Sequence, residues 1–120
     1  MSWSKNPIRE ARDARLSLAD LLPSFAVELQ RLLTEAGEPG LAAQVPTLKI
    51  FERCSCGDPI CSTFYVQPKP EGAYGPGHRC VRLFPSVGSH LVLDVVAGKI
   101  ACIELLDCDD VRQKLLAVLP

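Results

Sequence analysis

Residues 91–106 read L-V-L-D-V-V-A-G-K-I-A-C-I-E-L-L, the longest apolar and β-branched stretch in the second half of the chain. Its β-branched and apolar residues fall into two runs separated by Ala97-Gly98, which predicts strands over His90–Val96 and Lys99–Leu106 joined by a tight turn. Upstream, Arg79–Phe84 has the same character and connects through Pro85–Ser89, a short loop containing Gly88. Further back, Thr47–Cys56 and Cys61–Gln67 flank a Gly57-Asp58-Pro59-Ile60 turn. Strands joined by short turns favour sequential antiparallel neighbours, so the five predict a meander sheet. One connection is long: Pro68–His78, P-K-P-E-G-A-Y-G-P-G-H, carries too much proline and glycine for regular structure. It reads as a surface excursion, with Tyr74 and His78 as candidate binding contacts.

Helical spacing lies outside the strand region. Leu18, Leu21, Leu22, Phe25, Leu29, Leu32 and Leu33 recur at three- and four-residue steps and form one apolar stripe. Proline lacks the amide a helix interior needs, so Pro23 splits this stretch into a turn at 18–22 and a helix from about 23 to 36, with Gly37 as its stop. Pro39–Val45 offers one or two more helical turns before Pro46. At the other end, Asp107–Asp110 supply capping and a negative first turn for a terminal helix with Val111, Leu115 and Val118 on one stripe. The expected class is α+β: N-terminal helices and a C-terminal helix packed on one face of a roughly five-stranded antiparallel meander. Residues 17–120 form the single domain, and residues 1–16, with Lys5, Arg9, Arg12 and Arg15, read as a flexible basic arm.

Composition bounds the function. The chain has 120 residues, 48% apolar and 22% charged, enough to bury a core without a staple. Its net charge of -1 gives no reason to expect nucleic acid or an acidic membrane as partner. Residues 1–15 lack a secretory apolar core and no run suits a membrane span, so the expected location is the cytoplasm. There, six cysteines are expected as thiols, buried small hydrophobes or metal ligands. No phosphate loop, nucleophile elbow or H-E-x-x-H pattern occurs, which argues against the well-marked enzyme classes.

The stretch Glu52–Phe64, E-R-C-S-C-G-D-P-I-C-S-T-F, holds half of the cysteines. Residues two apart on a strand share a face, so Cys54 and Cys56 point the same way, and a four-residue loop at 57–60 brings Cys61 beside them. Three converging thiolates suit zinc, with Cys80 or His78 from the H-R-C segment as fourth ligand. Against this stand two other readings: buried, redox-silent thiols, since C-x-C-x4-C is not a usual zinc spacing, and a Cys56–Cys61 disulfide. Cys102 and Cys108 read as packing and inert residues. Asp94 and Glu104, on adjacent strands, read as an acid pair or as two separately solvated carboxylates.

The block C-S-C-G-D-P-I-C-S-T-F-Y at 54–65, with G-P-G-H-R at 75–79 and L-D-V-V-A-G-K-I-A-C-I-E-L-L at 93–106, resembles a family of small uncharacterised bacterial proteins over roughly Leu22–Leu119. The resemblance implies a bacterial source and a fold, and it carries no site roles.

Three functional readings follow. The first is a small non-catalytic binding or protein-interaction protein, of accessory or immunity type, with a protein partner or a second copy of itself on an apolar patch of Phe51, Phe64 and Val66 beside Tyr74 and His78. The second is a zinc protein using Cys54, Cys56 and Cys61 with Cys80. The third is a thiol-dependent or small-molecule enzyme, with Cys61 and His78 as nucleophile and base.

Overall fold

The computed structural model describes residues 16–86 and 88–119, so the basic arm up to Arg15 lies outside the described residues. Leu16, assigned to that arm from the sequence, belongs to the fold: it is buried, and its carbonyl accepts the Ile50 amide at 2.7 Å.

The leucine-rich segment folds as α1 (Leu18–Leu21) and α2 (Pro23–Glu35), with Pro23 in the first turn of α2, where its missing amide costs no hydrogen bond. Gly37, at φ +76°, ends α2 in a Schellman arrangement: the Glu38 amide donates to Leu33 O at 2.9 Å and the Gly37 amide to Thr34 O at 3.1 Å. A short α3 (Pro39–Ala42) and a 3-10 turn (Val45–Thr47) follow, and they carry Leu41 and Val45 into the same buried face.

The sheet contains β1 (Glu52–Arg53), β2 (Phe64–Tyr65), β3 (His78–Leu83), β4 (His90–Val96) and β5 (Lys99–Leu106), and α4 (Asp109–Val118) closes the chain. All pairings are antiparallel, in the order β1-β2-β5-β4-β3. The five antiparallel strands are present as expected, but their path departs from a single meander. β3, β4 and β5 form one, whereas β2 lies against β5 and not β3, because the 68–77 connection carries the chain across the sheet to its far edge. β1 and β2 are also shorter than the strands expected at 47–56 and 61–67.

One face of the sheet builds the core. Val81, Leu83, Leu91, Leu93, Val95, Ile103, Leu105 and Phe64 join Leu18, Leu22, Leu29 and Leu33 of the N-terminal helices and Val111 and Leu115 of α4 in one buried cluster. Phe25 of α2 meets Phe64 edge to face, with ring centroids 6.1 Å apart. A register shift between Asp94 and Val95 pairs Val95 with Ile100, so Ile100 and Ile103 both reach the interior despite their odd spacing. At the open edge, Arg79 of β3 forks both guanidinium nitrogens onto Glu38, each at 2.9 Å, tying the sheet to the end of α2. The opposite sheet face carries His78, Cys80, Asp94, Cys102, Glu104 and Tyr65, placed together by the pairings Cys80↔Asp94, Asp94↔Cys102 and Tyr65↔Cys102.

Candidate metal centre

The ten residues between β1 and β2 are irregular, yet they are tied down at both ends and along their length. The Cys54 amide donates to Thr63 O at 2.9 Å, and the Asp58 carboxylate accepts the Ile60 amide at 3.0 Å in an Asx turn. Gly57 supplies the left-handed step into that turn, at φ +78°. Cys61 closes it by donating its amide to Asp58 O at 3.1 Å, then bridges to Leu106 at the end of β5. Ser62 is buried: its amide reaches Leu105 O at 2.8 Å and its hydroxyl donates to Cys108 O, at the start of α4, at 3.0 Å. The loop is thus fastened to both β5 and α4.

This scaffold gathers Cys54, Cys56 and Cys61, whose Sγ atoms all lie within 4.8 Å of one another. Convergence therefore does not depend on the strand register expected from the sequence, since the three residues sit in a loop. Cys56 is exposed and the other two are half-buried, which leaves the cluster open on one side. Arg53 of β1 and Arg112 and Leu115 of α4 line the same cleft. Burial alone would raise the Cys61 thiol, but hydrogen bonding to the Thr63 hydroxyl and backbone and to Cys56 and Cys54 brings it below its ordinary value. Burial raises Cys54, the Cys56 backbone opposes, and proximity to the Cys61 thiol adds to the rise. One thiol of the cluster is thus favoured as the thiolate.

The other expected site residues lie elsewhere. Cys80 and His78 do not complete the thiol cluster: they sit on β3, the far edge of the sheet, about 20 Å from Cys61 by strand spacing and rise. The same separation rules out a Cys61–His78 nucleophile–base pair. Cys56 and Cys61 are both free thiols and form no disulfide. Phe64 and Val66 are core residues, 0% and 1% exposed, so the expected apolar patch is reduced to Phe51. Phe51 is exposed; among the described residues the other exposed large apolar side chains are Val27 in α2, Ile60 in the loop between β1 and β2, and Phe84 just past β3.

Tyr74 is half-buried, its ring 4.8 Å from that of His78, and Lys69 lies 5.6 Å from the Tyr65 ring. The 68–77 loop therefore folds back over the polar sheet face. Beneath it Cys102 is buried and its thiol is pushed up to about 12, mainly by burial and then by the charge of Asp94. The carboxylates of Asp94 and Glu104 lie diagonally on one face of β4 and β5, Asp94 buried and Glu104 partly exposed, near enough for each to shift the other's proton affinity. No helix among the described residues is long and apolar enough to cross a membrane.

No family model, curated protein or solved structure matches the chain.

Proposed function

We propose that the chain is a metal-binding protein that holds zinc through the Cys54, Cys56 and Cys61 thiolates, with the fourth position open to water or to a partner's ligand. The observation behind this reading is the convergence of three Sγ atoms within 4.8 Å on a loop fastened to β5 and α4. In a tetrahedral zinc–thiolate centre the sulfurs stand about 3.8 Å apart, so the cluster needs to close by about 1 Å at most. Arg53 and Arg112 beside the cleft would offset the net negative charge of an ion bound by three thiolates. A role as docking site for a protein partner has less support, because two of its three apolar residues are in the core.

Elemental analysis of untagged protein purified without chelator, beside the Cys54→Ser/Cys56→Ser/Cys61→Ser variant, tests the proposal. The expected result is one more equivalent of zinc in the wild type than in the triple variant. Equal zinc in the two proteins overturns it.

A further inference from the structure

The polar face of the sheet holds a second set of donors with a different chemistry. Cys80 of β3 stands directly opposite Asp94 of β4, and His78 precedes Cys80 by two residues, so all three side chains leave the same face. His78 Nε2 lies 2.8 Å from Asp94 Oδ1, Cys80 Sγ lies 3.5 Å from the same oxygen, and Cys80 Sγ lies 3.8 Å from His78 Nε2. We propose that His78 Nε2, Cys80 Sγ and Asp94 Oδ1 form a second metal site, for one borderline divalent ion such as zinc or cobalt.

The distances discriminate between a metal site and a catalytic triad. In a Cys-His-Asp relay the carboxylate takes one ring nitrogen and the nucleophile the other. Here Asp94 and Cys80 both approach Nε2, so His78 has no second nitrogen in the chain of contacts and cannot pass a proton between them. Three donor atoms of different chemistry within 3.8 Å of one another are instead a set that a cation can gather. Around tetrahedral zinc, bond lengths near 2.0 Å to N and O and 2.3 Å to S set the sulfur about 3.5 Å from both the nitrogen and the oxygen, and set N and O about 3.3 Å apart. Two of the three observed edges fall within about 0.3 Å of those values, and the third needs His78 and Asp94 to part by about 0.5 Å.

The surroundings fit such a site. Asp94 is 6% exposed, so its carboxylate is held largely out of water by the sheet and by the loop over it. Tyr74 covers the His78 ring, while His78 and Cys80 themselves remain exposed, leaving an entry path and a fourth position for water. Imidazole, thiolate and carboxylate together select a borderline first-row ion over magnesium or calcium, which prefer oxygen alone.

Cobalt titration of the full chain reads both sites at once, because a thiolate ligand gives Co2+ a near-ultraviolet charge-transfer band. In the Cys54→Ser/Cys56→Ser/Cys61→Ser variant the expected result is one remaining equivalent of Co2+ with a band of single-thiolate intensity. Adding Cys80→Ser abolishes the band, and adding His78→Ala weakens binding at least 100-fold. Cys80 and His78 are exposed, so the same two substitutions made in the wild-type background stay informative even if the triple variant does not fold: each lowers the Co2+ stoichiometry by one. Binding in which neither Cys80→Ser nor His78→Ala changes stoichiometry, band or affinity overturns the second site. A wild type that loses all of its Co2+ band on Cys80→Ser supports the second site while removing the thiol-cluster proposal.

Discussion

Asp94 and Glu104 are diagonal neighbours on the same face of the sheet, on the paired strands β4 and β5, and their proximity drives their proton affinities apart. Glu104 is raised from 4.5 to about 7, first by its hydrogen bond to Asp94, then by burial and by the Asp94 charge. Asp94 is lowered: burial would raise it, but hydrogen bonds involving Glu104, His78 and Cys80 prevail. Between pH 4.5 and about 7 the folded protein therefore keeps a proton on Glu104 that the unfolded chain has released. That contribution to stability is complete below pH 4.5 and is lost as pH rises through about 7. Glu104→Gln retains a donor for Asp94 and carries no charge. It is expected to stabilise the metal-free protein at pH 8 by on the order of 1 kcal/mol, discounted for partial exposure, with little effect at pH 5. Urea denaturation at both pH values is the measurement, and an equal effect at the two would contradict the assignment.

Gln44 joins the helical layer to the β4–β5 hairpin with both ends of its amide. Its nitrogen donates to Gly98 O at 2.7 Å and its oxygen accepts the Ile100 amide at 3.0 Å. Gln44→Ala removes both and should cost about 1–2 kcal/mol. Gln44→Glu keeps the acceptor for Ile100 and loses the donor to Gly98, so its loss should be smaller. A denaturation midpoint unchanged in Gln44→Ala would show that the hairpin holds its turn without this clamp.

Ala97 adopts φ +51° next to Gly98 at φ +79°, the pair of left-handed residues that a type I′ hairpin turn requires. Gly98 enters that region freely, but the Cβ of Ala97 makes it costly. Ala97→Asn keeps the amide that donates to Gly77 O and tolerates this conformation better. It should raise stability by about 0.5–1 kcal/mol, read as a higher thermal midpoint. A lower midpoint would mean that the turn differs in solution.

Tyr74 was expected from the sequence on a loose surface loop, but its ring packs on His78 and over Cys102. Tyr74→Ala should therefore cost about 1–2 kcal/mol and make Cys102 reactive toward thiol reagents in the folded protein. Tyr74→Phe, which keeps the ring, should cost less. If Tyr74→Ala left stability and Cys102 labelling unchanged, the loop would not cover the sheet.

Strand and helix placement was legible where burial imposes a simple period. His90–Val96 and Lys99–Leu106 match β4 and β5, and the leucine stripe divides at Pro23 as proline chemistry requires. What was not legible depends on contacts between distant segments. Nothing in Pro68–Gly77 tells that it crosses the sheet, so neither the place of β2 beside β5 nor the burial of Val66 could be read. The register shift at Asp94 and Val95 breaks the alternation on which the face of Ile100 would be judged. Convergence of Cys54, Cys56 and Cys61 was anticipated, although a loop and not a strand pair achieves it. The cluster of His78, Cys80 and Asp94 required the β3–β4 register, without which H-R-C and L-D-V are two unrelated tripeptides.

The six thiols differ enough in environment for their reactivity to report on the site. Cys61 is the one whose affinity for its proton is lowered, by hydrogen bonds that outweigh its burial. Burial raises Cys54, and burial together with the neighbouring Asp94 raises Cys80 although it is exposed. Cys102 and Cys108 are buried. Since the thiolate is the nucleophile, iodoacetamide applied to metal-free protein near neutral pH should label Cys61 ahead of Cys54 and Cys80, and should reach Cys102 and Cys108 only on unfolding. Peptide mass analysis at timed intervals gives the order. Added zinc should then protect Cys54, Cys56 and Cys61 together, because a thiolate bound to the ion is no longer free to attack. Protection of Cys61 with Cys56 still labelled at its metal-free rate would mean that the three sulfurs do not share one ion.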